Sequence, residues 1–405
     1  MCGIAGILSS LRPVNPGAIQ AMTGLMAHRG PDGSGLWQGA GGRLVLGHRR
    51  LAATDHGPAS AQPFVAAPHV LSFDGKIHNY QEIRAELISR GHAFVTEGDV
   101  EVVVAAWRQW GQACVEFFNG MFAFALWDAN KDQLFCARDR FGEKPFLYAV
   151  GAGFLAFASE YKALLTLEGV AADIDHARLA RYVADPADGL ERGDDTMFPA
   201  IRQLPPAHAL VIDGHSLERR QTRYWQGKPA KLNRRPTAAA AAQSLRDLLT
   251  DSIRLRLRGA APVGSCLSGG VDCGAIVCLA RREIGDHAAL HTFSGRFPGT
   301  SADDGLYMES VAAAAHPVRH DVEPKPETLL AELGRFAWDN ELPVDSAGQY
   351  ARYCVFRLAR QLGVKVLLDG QGADEILGGA DRYFTAYLRG GGDNSPLLRS
   401  RYGDA

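Results

Sequence analysis

The sequence lacks several features that would fix its class at once. No apolar run approaches the ~18 residues of a membrane-spanning helix; Ala275-Ile276-Val277-Cys278-Leu279-Ala280 is typical of what is found. No excess of one charge exists: 43 Lys and Arg stand against 45 Asp and Glu, a net of −2. A nucleic-acid binder is therefore not expected, since no basic surplus is there to neutralise phosphates. Small anions such as nucleotides remain open. No Cys-x-x-Cys pair occurs, and the cysteines number seven, an odd count. That fits neither a disulfide framework nor a zinc site, and it suggests a reducing, cytoplasmic setting. The start, Met1-Cys2-Gly3-Ile4-Ala5-Gly6-Ile7, has no basic segment and too short an apolar stretch for a secretory leader.

What is present suits a soluble globular protein. At 405 residues the chain has length for two or three domains, each able to bury a core. The first ~215 residues are dense in short β-like runs: Leu44–Leu46, Val70–Phe73, Met121–Leu126, Gln133–Ala137 and Phe154–Phe157. Helices are predicted at Tyr80–Arg90, with a stripe of Ile83, Leu87 and Ile88, and at Asp99–Trp110. This mixture reads as an α+β layered domain. Arg219–Pro236, basic and without period, reads as a connection.

From Thr237, a predicted N-cap, the pattern changes. Leu245, Leu248, Leu249, Ile253 and Leu257 mark one helix face. A strand at Val263–Leu267, a Ser268-Gly269-Gly270 turn and a helix at Cys273–Arg282 follow. Further strands are expected at His291–Phe297 and Val364–Leu368, with a helix at Gln349–Gln361 between them. Alternation of this kind indicates a parallel sheet covered on both faces. The residues from Gly390 onward look loose.

Two loops of the second half carry anion chemistry. In Ser268-Gly269-Gly270-Val271-Asp272 the glycines allow backbone N–H groups to approach a phosphate at a helix N-terminus, and Ser268 can donate too. Asp272 would repel phosphate directly, so it makes sense as a Mg²⁺ ligand. A plain strand–helix turn is the competing reading. Asp369-Gly370-Gln371-Gly372-Ala373-Asp374-Glu375 follows another strand, and Asp374 could supply a second carboxylate to the same ion. An Asp-rich turn capping the next helix is the alternative.

Cys2 directly follows Met1. Removal of Met1 would expose an α-amine beside the thiol, able to act as its general base. On its own, Cys at position 2 is more often a buried bystander. The cysteines of the apolar stretches read as core residues.

The residues together resemble the glutamine-hydrolysing asparagine synthetase family. The first half is similar to class II glutamine amidotransferases at Met1–Ile4, His28–Asp32, Gly47–Leu51, Asn119–Phe124, Arg138–Gly142 and Ala158–Glu160. The second half is similar to ATP-pyrophosphatase domains at Leu267–Asp272 and Gly370–Gly379. The resemblance implies a four-layer α+β sandwich of the N-terminal nucleophile type over 2–218. An α/β parallel-sheet ATP-pyrophosphatase domain, only partial, would follow over 237–405. It implies that the Cys2 thiolate releases ammonia from glutamine, and that aspartate is activated by ATP·Mg²⁺ as β-aspartyl-AMP and then amidated. Arg50, Asp74, Gly75, Lys76 and Asp99 would bind glutamine. Leu267, Ser268, Gly269, Gly270, Asp272, Gly295, Asp369 and Gly370 would bind ATP, with Asp272 and Asp374 on the metal. A homodimer is compatible with it; no nucleic-acid or membrane partner is implied.

The chain departs from the family's pattern at several places. Asp74 and Lys76 stand where the family usually has Asn and Glu. An ionised Asp74 cannot donate to the oxyanion, a loss that typically costs ~10²–10³ in rate. It also disfavours the Cys2 thiolate. Glutaminase activity is therefore expected to be weak, unless Asp74 is protonated or turned away. Cys273 and Gly274 replace a Ser-Ser or Ser-Thr pair, and Asp369 and Gln371 replace Ser and Glu. The chain also stops soon after Gly378-Gly379, before a lysine that the family places beside the leaving pyrophosphate, so little asparagine synthesis is expected from it alone. Two alternatives stay open: a catalytically compromised relative serving as a binding or regulatory subunit, and an amide-forming enzyme with another carboxylate acceptor.

Overall fold

The computed structural model describes residues 1–52, 57, 60–186, 189–228, 236–259 and 262–389. Two compact units emerge, Met1–Arg235 with Gly334–Asp345, and Pro236–Leu333 with Ser346–Ala405.

The first unit has twelve strands among its described residues: β1 Gly3–Ser9, β2 Gly33–Gly39, β3 Leu44–Arg50, β4 Phe64–Ala66, β5 His69–Ile77, β6 Gly120–Asp128, β7 Gln133–Arg138, β8 Leu147–Gly151, β9 Phe154–Ala158, β10 Ile201–Gln203, β11 His208–Asp213 and β12 Arg219–Arg223. They form two six-stranded sheets, ordered β10-β8-β9-β1-β3-β2 and β12-β11-β7-β6-β5-β4. Neighbours pair antiparallel, as in β1 with β3 and β5 with β6.

Side-chain alternation along β6 shows how the layers stack. Ala123, Ala125 and Trp127 enter a core shared with Ile4, Leu46, Leu155 and Phe157 of the other sheet. Phe122, Phe124 and Leu126 point the opposite way, onto Ile83, Leu87, Val103 and Trp107 of the helices Tyr80–Ser89 and Asp99–Trp110. A strand covered on both faces loses the apolar–polar alternation of a half-exposed one, which is why β6 reads as a continuous apolar run. On the outer face of the other sheet, Ile19 and Met22 of the helix Pro16–Leu25 pack against Ala5, Ile7 and Val45. The result is the expected four-layer α-β-β-α sandwich. Two readings need correction. Ile88 is 55% exposed, because it lies about 100° around the helix from the Ile83–Leu87 pair. The expected connection at Arg219–Pro236 begins with β12, an exposed edge strand whose charges concealed it.

The second unit holds β13 Val263–Cys266, β14 His291–Gly295, β15 Val318–Val322 and β16 Val366–Leu368, ordered β15-β14-β13-β16. All pairs are parallel. One face packs Val277, Ala280, Met308 and Ile253 from three helices. The other meets Val355 and Ala359 of the helix Ala347–Gln361. The expected parallel sheet with covered faces is therefore present. Thr237 caps the helix Ala238–Leu257 by accepting the Ala240 N–H at 3.2 Å. That helix buries only the later part of its predicted face, since Leu245 and Leu248 are exposed. The charged sequence of β15, Val-Arg-His-Asp-Val, gave no strand signal. The tail from Gly390 lies outside the described residues. Among the described residues, no helix is long and apolar enough to cross a membrane.

Candidate functional site

Cys2 stands immediately before β1, and the β1–β3 register places its neighbour Gly3 opposite Arg49. The Leu51 N–H donates to Cys2 Sγ at 3.3 Å. The Cys2 N–H donates to Asp74 Oδ1 at 2.9 Å. Burial, reinforced by Asp74, pushes the thiol up to about 11, although the Leu51 N–H and the N-terminal ammonium pull the other way.

Asp74 is 1% exposed on β5. Its Oδ2 accepts from Arg29 Nη2 at 3.0 Å. Burial alone would raise its pKa, but Lys144 and Arg29 outweigh burial and hold the carboxyl below its ordinary range. The residue is thus an ionised acceptor aimed at the backbone nitrogen of Cys2. Arg29 goes further: Nε donates to the Cys2 carbonyl at 2.7 Å, and Nη1 to Glu160 Oε1 at 3.3 Å.

Glu160 is the hub of a wider ion network. It meets His28 Nε2 and Lys162 Nζ, each at 2.8 Å. Burial works against its charge, yet His28, Arg29 and Lys162 lower its pKa to about 2. Glu341 completes the network, accepting from the Tyr161 and Lys162 N–H groups at 3.0 and 2.8 Å. Arg29, Glu160 and Glu341, with Arg138, Tyr161 and Glu191, wall a polar cleft of about 180 Å³. His28, Arg29 and Glu160 stood in recognisable sequence motifs without an assigned role. Lys162 and Glu341 carried no motif signal, and only the fold brings them in.

The other expected glutamine ligands lie on neighbouring strand and helix ends. Arg50 ends β3, and its Nη2 donates to Ser60 Oγ at 2.6 Å and the Gly57 carbonyl at 3.2 Å. Gly75 pairs with Phe122 across β5–β6. Lys76 Nζ lies 4.9 Å from the Tyr80 ring centroid. Asp99 opens its helix and accepts the Ile77 N–H at 2.9 Å, tying the helix start to the end of β5 beside Lys76.

In the second unit, Ser268–Asp272 follow β13 and enter the helix Val271–Ile284. The Gly270 N–H donates to Ser268 Oγ at 3.3 Å. The Gly269 N–H donates to Asp304 Oδ2 at 3.1 Å. A carboxylate therefore already engages this turn, so its backbone can receive an anionic oxygen, as a phosphate cradle must. Any Cβ on Gly269 would lie 2.6 Å from Asp304 Cβ, so the close approach requires glycine. Because β13 and β16 are parallel neighbours, their following loops adjoin. A Cβ on Gly370 would sit 2.2 Å from Asp272 Oδ2. Asp374 lies in the first turn of the short helix Ala373–Leu377. Gly295 ends β14. Leu267 is 2% exposed, with its side chain in the core, leaving only its backbone to face a ligand. Among the described residues, no three His, Cys, Asp or Glu side chains converge as a metal cage. Mg²⁺ needs none, since one or two carboxylates plus phosphate oxygens suffice.

Residues 1–225 match the glutamine amidotransferase domain family, and residues 244–402 match asparagine synthase. A protein of Mycobacterium tuberculosis, provisionally named a glutamine-hydrolysing asparagine synthetase, is 36% identical over 386 residues, covering 90% of this chain and 57% of that protein. Asparagine synthetase 3 of Bacillus subtilis is 31% identical over 99% of this chain and 66% of its own length. A solved structure of the Bacillus subtilis glutamine phosphoribosylpyrophosphate amidotransferase aligns at a TM-score of 0.44 with 13% identity, covering 82% of this chain and 93% of that one. The chain belongs to the glutamine amidotransferase family, and its second half matches the asparagine synthase family. It spans 57% of the mycobacterial relative's length.

Proposed function

We propose that this chain carries the amidotransferase unit and the nucleotide-binding part of an ATP-dependent amide synthetase, with aspartate as acceptor and asparagine as product. The observation that carries this reading is the pairing, on one chain, of two features. One is Cys2, at the head of a four-layer sandwich with its thiol against the Leu51 N–H. The other is an anion-binding turn at the carboxyl end of β13.

In the first reaction the Cys2 sulfur attacks the side-chain amide carbon of glutamine. The C–N bond breaks, ammonia leaves, and water then hydrolyses the thioester to glutamate. Arg50 pairs with the substrate carboxylate and Asp99 with its ammonium. Buried Asp74 opposes this step, because it accepts hydrogen bonds where an oxyanion requires donors and disfavours the thiolate. Glutaminase activity is accordingly slow.

In the second unit, Ser268–Gly270 cradle the ATP phosphates and Leu267, Gly295, Asp369 and Gly370 border the nucleotide. Asp272 and Asp374 hold Mg²⁺, which neutralises phosphate charge when bound. The aspartate side chain attacks the α-phosphorus, giving β-aspartyl-AMP and pyrophosphate, and ammonia then displaces AMP.

The test is aspartate-dependent formation of AMP and pyrophosphate, with glutamine or ammonium as nitrogen source. Slow but aspartate-dependent production with ammonium, and less with glutamine, supports both halves of the reading. No AMP under either condition overturns the synthetase half, and rapid glutamate release overturns the slow glutaminase.

A further inference from the structure

Three positions at which the second unit departs from its family's pattern lie close together. Cys273 Sγ is 3.9 Å from Asp272 Oδ2. Asp369 and Gln371 flank Gly370, whose missing side chain leaves room for Asp272. The helix Ala347–Gln361 brings Arg352 to this place. Arg352 Nη2 donates to Asp369 Oδ2 at 2.7 Å, and Nη1 donates to Gln371 Oε1 at 2.9 Å. The Gln371 N–H closes the loop on Asp369 Oδ1 at 3.0 Å. The two unusual loop residues are therefore held by one guanidinium.

The charge arithmetic gives that contact a purpose. Asp272, Asp369, Asp374 and Glu375 put four carboxylates on the two adjoining loops, and the exchange of Ser and Glu for Asp369 and Gln371 moves one of these charges from position 371 to 369. A polyphosphate entering this crevice would be repelled by an unpaired Asp369, strongly so where water is partly excluded. Arg352 cancels that charge. Its fork also spans acceptors on two residues, which a lysine ammonium, a single point of charge, cannot do as well.

We propose that Arg352 is a nucleotide-site positioning residue that neutralises Asp369 and, through Gln371, fixes the second loop against the ATP phosphates. The inference rests on the ATP reading above. It makes Arg352 and Asp369 a single compensated unit, in which removing the cation alone is worse than removing both charges.

Isothermal titration of the full chain with MgATP tests this in a four-member cycle: wild type, R352Q, D369N and R352Q/D369N. R352Q should weaken binding about tenfold or more, equivalent to ~1.4 kcal/mol. The double variant should return to within about threefold of wild type. Thermal melts of all four separate loss of fold from loss of affinity. A merely structural arginine predicts no rescue. Additive effects, or an R352Q affinity equal to wild type, overturn the proposal while leaving the ATP reading intact. A wild type that binds no MgATP overturns that reading and the proposal with it.

Discussion

Arg29 Nη2 donates to Asp74 Oδ2 at 3.0 Å, and the two side chains are only 7% and 1% exposed. Removing one partner of such a pair strands the other charge. Here Arg29 keeps a second carboxylate, Glu160. Asp74 can therefore be neutralised without orphaning the guanidinium. Asp74→Asn should raise glutamine hydrolysis by ~10²–10³, the typical worth of one oxyanion donor. Ammonia release by the purified protein measures it. An unchanged rate would show that Asp74 does not limit the reaction.

His48 gives a pH signature. It is fully buried, with Nε2 on the Phe73 carbonyl at 3.1 Å, and burial lowers its pKa to about 4 from an ordinary 6.5. Between those values the unfolded chain binds the proton and the folded chain does not. Stability therefore rises with pH through this window and falls on acidification from 6.5 towards 4, by about 3 kcal/mol from this group. Melting temperatures across pH 4–7 check the slope, and His48→Gln should flatten it.

Glu341 accepts two backbone N–H groups at the start of the short helix Tyr161–Leu164 and pairs with Lys162 Nζ at 3.2 Å. Glu341→Ala leaves those donors without their acceptor and should cost about 1–3 kcal/mol. Urea denaturation reads the loss. An effect below about 0.5 kcal/mol would mean that water replaces the carboxylate.

Much of this was legible in the sequence. Most strand positions and the strand–turn–helix at Ser268–Asp272 followed from local pattern, because each is encoded within about ten residues, whereas Cys2 was singled out only by the family resemblance. Asp74 was legible as a misfit, but its partners were not. Arg29, Glu160 and Glu341 converge across separations of 131 and 179 residues, which no local period records. β12 and β15 escaped because their arginines and other charges mimic loop composition. Arg352 sits on an ordinary amphipathic helix, and only its distance to Asp369 distinguishes it.

Asp304 offers another measurable outcome. Its carboxylate engages the Gly269 N–H rather than capping its own helix, Gly305–Ala315. A phosphate must compete for that donor and also face a like charge. Asp304→Ala should tighten pyrophosphate or MgATP binding several-fold in titration calorimetry. Weaker binding would instead make the carboxylate part of the ligand's support.

The network around Glu160 also sets an order of events during synthesis. Cys2 is translated before all of its supports: its carbonyl is held by Arg29, Arg29 by Glu160, and Glu160 shares Lys162 with Glu341. The last of these contacts must wait until residue 341 has been translated. Cys2 is thus made well before the last of the contacts that support it, and the network closes only after the stretch between Lys162 and Glu341 has been translated.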